Sequence, residues 1–188
     1  MIAGIDYGSK LAGTTVICYE QGGLLHFQQS QKKQDADKMI VEWIKTHKPS
    51  LVMLDAPLSL PLVYSDPDQG ESYHYRICDQ RLKAMSPMFL GGLTARAMQL
   101  RGSLSDWTIL ETYPKQVLHH RLPHLVSQYK EDIESFSLQL SDSLPYPFVQ
   151  VPTDWHQVDS AMAYLAGHLY TLGKCETVGI ESEGLIYY

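Results

Sequence analysis

Cysteine is scarce in this chain: its 188 residues include three, Cys18, Cys78 and Cys175, far apart and without a C-x-x-C pair. That excludes a disulfide framework and a zinc knuckle, and the three read as reduced packing residues. Long apolar runs are missing as well. No stretch approaches the roughly 18 residues that a membrane span needs, and the N-terminus lacks a basic region followed by an apolar signal core, so a cytoplasmic protein is the expectation. Positive charge is also in short supply: 15 Lys and Arg against 21 Asp and Glu leave a net charge of −6. Such a balance argues against avid, sequence-blind binding to a phosphate backbone, which depends on Lys and Arg releasing counterions. With 44% hydrophobic residues the chain fits one domain over residues 1–188, with no room for two catalytic lobes.

What positive charge there is sits unevenly. Residues 71–103 carry five basic and two acidic side chains, whereas both flanking segments are acidic. An anionic substrate is therefore expected against the middle segment, where Arg76, Arg81 and Arg96 lie, with Lys10 near the first turn as a further candidate. The longer stretch 58–103, which contains the middle segment, breaks the alternation of strand and helix with a loop rich in Pro, Asp and Ser. It reads as a helical insertion or lid, since long excursions in a compact domain are commonly functional.

The chain opens on Ile2-Ala3-Gly4-Ile5-Asp6-Tyr7-Gly8, an apolar run that ends on a carboxylate and a glycine. Residues 12–19 and 24–28 follow as strands after short Gly-containing turns, which makes an antiparallel three-stranded meander. A helix with apolar residues Met39, Ile40, Trp43 and Ile44 at helical spacing stops at Lys48-Pro49. Leu51-Val52-Met53-Leu54-Asp55 then repeats the first design, an apolar run with Asp at its exit, and Trp107 to Glu111 repeats it with Glu. The last long helix starts near Asp154, a natural N-cap with Gln157 three positions on. Its apolar stripe is expected at Val158, Ala161, Met162, Leu165, Leu169 and Leu172, and Ala163, Ala166 and Gly167 thin one flank for close approach to a sheet. The tail, 181–188, is expected to end as a short strand.

Four acids stand out: Asp6, Asp55 and Glu111 at strand exits, and Asp159 early in the last helix. If the strands run parallel, their C-terminal ends share the sheet edge where open α/β folds hold ligands. Carboxylates crowded there repel one another and take up protons unless cations neutralise them. Hard oxygen donors suit Mg²⁺ or Mn²⁺, and a pair of such ions supports phosphodiester cleavage. Other chemistries lack a signal. No nucleophile elbow or spaced triad is present, and Pro123 interrupts the His120 and His124 pair.

The pieces Gly4-Ile5-Asp6-Tyr7-Gly8, Asp55-Ala56-Pro57-Leu58 with Leu60-Pro61, Arg76-Ile77-Cys78-Asp79, Glu111-Thr112-Tyr113-Pro114, Asp159-Ser160-Ala161 and Glu183-Gly184-Leu185-Ile186-Tyr187 occur in this order along almost the whole chain. In this the chain resembles the ribonuclease H-like superfamily, and within it the predicted-nuclease family known as domain of unknown function 429. The resemblance implies a ribonuclease H-like mixed five-stranded sheet of the α/β class, an antiparallel meander plus two parallel strands, flanked by helices. It also implies Asp6, Asp55, Glu111 and Asp159 as metal ligands and a metal-dependent nuclease acting on nucleic acid or another phosphodiester. Ser160 departs from the family pattern, which keeps Asp154 in competition with Asp159 as fourth ligand. Two alternatives stand beside this reading: a ribonuclease H-like binding module without catalysis, and a lobe of an actin-like ATPase, whose phosphate hairpin also follows a first-strand Asp-x-Gly. Oligomeric state is open, a homodimer included.

Overall fold

The structure, a computed structural model, describes residues 1–188. Its centre is a sheet in which β1 (Ile2–Asp6) pairs antiparallel with β2 (Val16–Gln21), and β2 antiparallel with β3 (Leu24–Gln29). On its other side β1 runs parallel to β4 (Leu51–Asp55), and β4 parallel to β5 (Ile109–Thr112). The order β3-β2-β1-β4-β5 is the ribonuclease H-like arrangement expected from the sequence. The tail adds more than the single strand expected: β6 (Thr177–Ile180) and β7 (Gly184–Tyr187) form a hairpin, and β7 joins β5 in parallel, extending the sheet to seven strands.

Each strand of the parallel half alternates its side chains between two cores, as the pleat requires. One core contains Ala3, Ile5, Val52, Leu54 and Ile109, covered by α1 (Ala36–His47) and by α4 (Gly92–Ser103) through Ala97 and Leu100. The other contains Leu51 and Met53, covered by α5 (Pro114–Arg121), α6 (Ile133–Ser141) and α7 (Trp155–Thr171). α4 is therefore the crossover helix between parallel strands β4 and β5 and belongs to the core. The true excursion is shorter than the predicted 58–103. It holds a short 3₁₀ turn at Leu62–Tyr64, α2 (Ile77–Leu82) and α3 (Pro87–Leu90).

α7 is the element that closes the second core, and it lies against β1. Gly4 makes this approach feasible: a methyl group there would overlap the backbone of Ser160 and Tyr164. The small residues on the helix's flank have the same effect from the other side, since a Cβ on Gly167 would meet Ile2 and Met53 at 2.7 and 2.9 Å. No helix is long and apolar enough to cross a membrane.

Candidate functional site

β1 and β4 are in register so that Asp6 stands directly beside Asp55 at the C-terminal ends of two parallel strands. By strand parity both carboxylates leave the sheet on the face covered by α7, because Asp6 follows Gly4 by two residues and Asp55 follows Met53 by two. α7 then delivers two side chains one turn apart on one helix face. His156 Nδ1 lies 2.7 Å from Asp6 Oδ2, and Asp159 Oδ1 accepts a 2.7 Å hydrogen bond from the Tyr129 hydroxyl. With Asp6 ionised its carboxylate only accepts, and Nδ1 of His156 then carries the proton of that bond.

Asp55 is the exception among these acids. No protein donor reaches its carboxylate; burial disfavours its charged form most, Asp6, Asp159 and Glu111 add to that, and Lys130 pulls the other way. Its pKa lies well above the ordinary carboxylate range. Burial also raises Asp6, against the pull of the His156 hydrogen bond, and lifts Asp159 to about 6, against the pull of Tyr129 and Lys130. His156 is raised in turn, chiefly by its hydrogen bond to Asp6. The pocket is a place where negative charge is expensive.

Glu111 stands apart from this group. It shares strand parity with Ile109, which belongs to the α1–α4 core, so its side chain emerges on the opposite face of the sheet from Asp6 and Asp55. There it meets Arg76, whose Nη1 donates to Oε2 at 2.7 Å and Nη2 to Oε1 at 2.6 Å, and the Leu58 amide donates to Oε2 at 2.8 Å. The expected four carboxylates are thus divided between two faces: Asp6, Asp55 and Asp159 on one, and Glu111 on the other, where it is paired with Arg76, its pKa raised by burial, and still felt by Asp55.

The substrate-binding candidates fare similarly. Arg76 is fully buried, donating also to Asp79 and Ser59, so it is closed to any substrate. Arg96 is paired with Asp37 at 2.7 and 3.0 Å and lies 4.8 Å over the Tyr7 ring. Lys10 pairs with Asp35 at 3.1 Å, and Arg81 is exposed but lines neither cavity beside the aspartates. The positive middle segment is used internally. Asp154, the competitor for Asp159, caps α7 through the Gln157 amide at 2.9 Å and accepts from Gln29 at 3.0 Å. Sequence reasoning passed over His156, Tyr129, Tyr113 and Lys130; the spacing His156-x-x-Asp159 is the one signal that was there to be read.

The donor chemistry of Asp6, Asp55 and Asp159 fits a hard divalent cation: oxygen ligands from three elements, one of them without a donor and all disfavoured as bare anions. No three His, Cys, Asp or Glu side chains already stand at coordinating geometry.

No family model matches the chain, and no curated protein matches it. Among solved structures, Thermus thermophilus RuvC is similar at 14% identity, covering 92% of this chain and 96% of that one with a TM-score of 0.46. T. thermophilus RuvC in complex with a Holliday junction substrate gives the same identity and coverage and a TM-score of 0.48.

Proposed function

We propose that this chain is a metal-dependent hydrolase of phosphodiester bonds, a nuclease in the broad sense, with its site at Asp6, Asp55 and Asp159. The observation that carries the reading is the Asp55 carboxylate, which has no protein donor and is faced by two further aspartates. Lys130 offsets that repulsion without an ion pair to any of the three aspartates, so a divalent cation would relieve what remains, whereas Glu111 is met directly by Arg76. Bound Mg²⁺ or Mn²⁺ would supply charge neutralisation at the phosphate and a more acidic water. The protein's own groups have separate tasks. Asp6, Asp55 and Asp159 would hold the ion, His156 orients Asp6, and Tyr129 orients Asp159. A two-ion arrangement rested on four carboxylates, and with Glu111 paired to Arg76 the number of ions becomes a quantity to be titrated.

The test is hydrolysis of bis(4-nitrophenyl) phosphate and of end-labelled DNA and RNA strands in Mg²⁺ or Mn²⁺. Turnover that requires the ion and falls at least a hundredfold in Asp55→Asn is the expected result. Metal-independent turnover, or an unaffected variant, removes the assignment. A binding module without catalysis is the second reading. It predicts ligand binding with no turnover under any ion. The actin-like alternative finds no support in a chain built on one sheet, since that cleft lies between two lobes.

A further inference from the structure

Asp55 and Tyr113 stand between two cavities, each lining both, of which only one has basic side chains in its wall. On one side a space of about 420 Å³ has Asp159 in its wall and Lys115 and Lys130 at its edge. Both lysines are exposed, and neither makes an ion pair, unlike Lys10, Arg76 and Arg96. On the other side a space of about 180 Å³ has Ala84, Met85, Leu90, Leu93 and Ile186 in its wall together with Asp6, Asp79 and Glu111, the last two held by Arg76, and no lysine or arginine. Met85 and the neighbouring Phe89 are 62% and 69% exposed and carry that apolar surface outward.

We propose that these are the two halves of one nucleotide site: phosphates lie along Lys115 and Lys130, and a single unpaired base enters the smaller cavity across the Asp55–Tyr113 divide. This rests on the phosphodiesterase reading above and narrows its substrate to a nucleic-acid strand with a base out of its stack. Charge complementarity assigns the sides. In a protein of net charge −6, two ammonium groups without carboxylate partners, Lys130 lying 5.1 Å over the Tyr129 ring, are where an anionic backbone finds attraction, and a recess walled by apolar groups and carboxylates with no cation is where it does not. Size limits the occupant of the recess. Drug-sized ligands fill roughly 300–1,000 Å³, so a space of about 180 Å³ takes one ring system. A base held in a duplex is stacked on both faces and out of reach of such a recess, whereas an extruded base finds apolar walls on which to pack.

Binding is the readout, so that it stands apart from turnover. Fluorescence anisotropy with Ca²⁺ in place of Mg²⁺ compares three DNA probes: a perfect duplex, the same duplex with one unpaired nucleotide, and that duplex with the unpaired nucleotide made abasic. The unpaired base is expected to bind at least tenfold tighter than either other probe. Met85→Ala and Leu93→Ala should each reduce that preference while leaving affinity for the abasic probe unchanged. Lys115→Ala and Lys130→Ala should weaken all three probes alike and lower the salt slope by about 1 each. Equal affinity for the abasic and base-bearing probes overturns the base site, and lysine variants that bind normally overturn the phosphate side. If phosphodiester hydrolysis persists while the probes are not distinguished, this inference fails and the phosphodiesterase reading stands. If neither binding nor hydrolysis occurs, both fail.

Discussion

Arg76 and Glu111 face each other inside the protein, the guanidinium giving one hydrogen bond to each carboxylate oxygen at 2.7 and 2.6 Å. The pair ties the excursion after β4 to the exit of β5, and it removes Glu111 from the acids that remain uncompensated on the other face. Arg76 also donates to both oxygens of Asp79, so one cation serves two buried carboxylates. Arg76→Met should therefore cost about 3–5 kcal/mol, the usual penalty for leaving buried charge unpaired. Urea unfolding followed by circular dichroism measures it. Arg76→Lys should recover little, because a single ammonium cannot reproduce the planar fork that meets Glu111 and Asp79 together.

Glu183 has a comparable role without a cation. It is buried, and its two oxygens accept from the Leu62 and Ile77 amides at 2.8 and 2.6 Å, pinning both ends of the excursion to the turn before β7. Glu183→Ala should cost about 1–3 kcal/mol, the penalty for buried donors left unsatisfied. Hydrogen exchange localises the loss: the Leu62 and Ile77 amides should speed up while amides of β1 and β4 stay protected.

The contact between Gly4 and α7 predicts a third effect. Gly4→Ala forces the helix away from β1, because the backbone of Ser160 and Tyr164 occupies the space. Overpacking of this kind costs about 1–3 kcal/mol or more. As α7 carries His156 and Asp159, the variant should also lose affinity for divalent ions more than its loss of stability alone explains, as seen by thermal shift with and without Mn²⁺.

The raised pKa of Asp159 gives a pH dependence of definite sign. Burial holds the folded pKa at about 6, above the ordinary value of 3.8, so the folded state binds the proton more tightly than the unfolded chain does. Stability then falls as pH rises through the window from 3.8 to about 6. At about 1.4 kcal/mol per unit, the metal-free protein should lose about 3 kcal/mol relative to Asp159→Asn across that window. Mg²⁺ should suppress the loss. Parallel pH profiles for the two proteins would contradict the assignment of a strained carboxyl at this position.

Much of the fold was legible in the sequence. The apolar runs ending in Asp6 and Asp55, the meander and the small-residue flank of the last helix each have a local pattern that the structure keeps. The face from which Glu111 leaves its strand had no such pattern. Ile109-Leu110-Glu111-Thr112 is apolar on both faces before the acid, and a strand buried on both sides carries no alternation to reveal parity. Arg76 was misjudged for a related reason: an arginine in a polar, helical insertion reads as surface until the buried acids that hold it, Glu111 35 positions away and Asp79, are seen to converge. Likewise, the net positive count of residues 71–103 said nothing of pairing, and the structure leaves Lys115 and Lys130, from an acidic segment, unpaired beside the aspartates.

The measurement closest to the central claim is calorimetric titration of Mn²⁺ into the metal-free protein and into Asp55→Asn, both verified as folded by circular dichroism. Saturable binding to the parent protein, with a stoichiometry read directly and reduced at least tenfold in affinity by the substitution, is the predicted result. Binding of equal strength to both proteins, or none to either, would show that Asp6, Asp55 and Asp159 do not form a cation site.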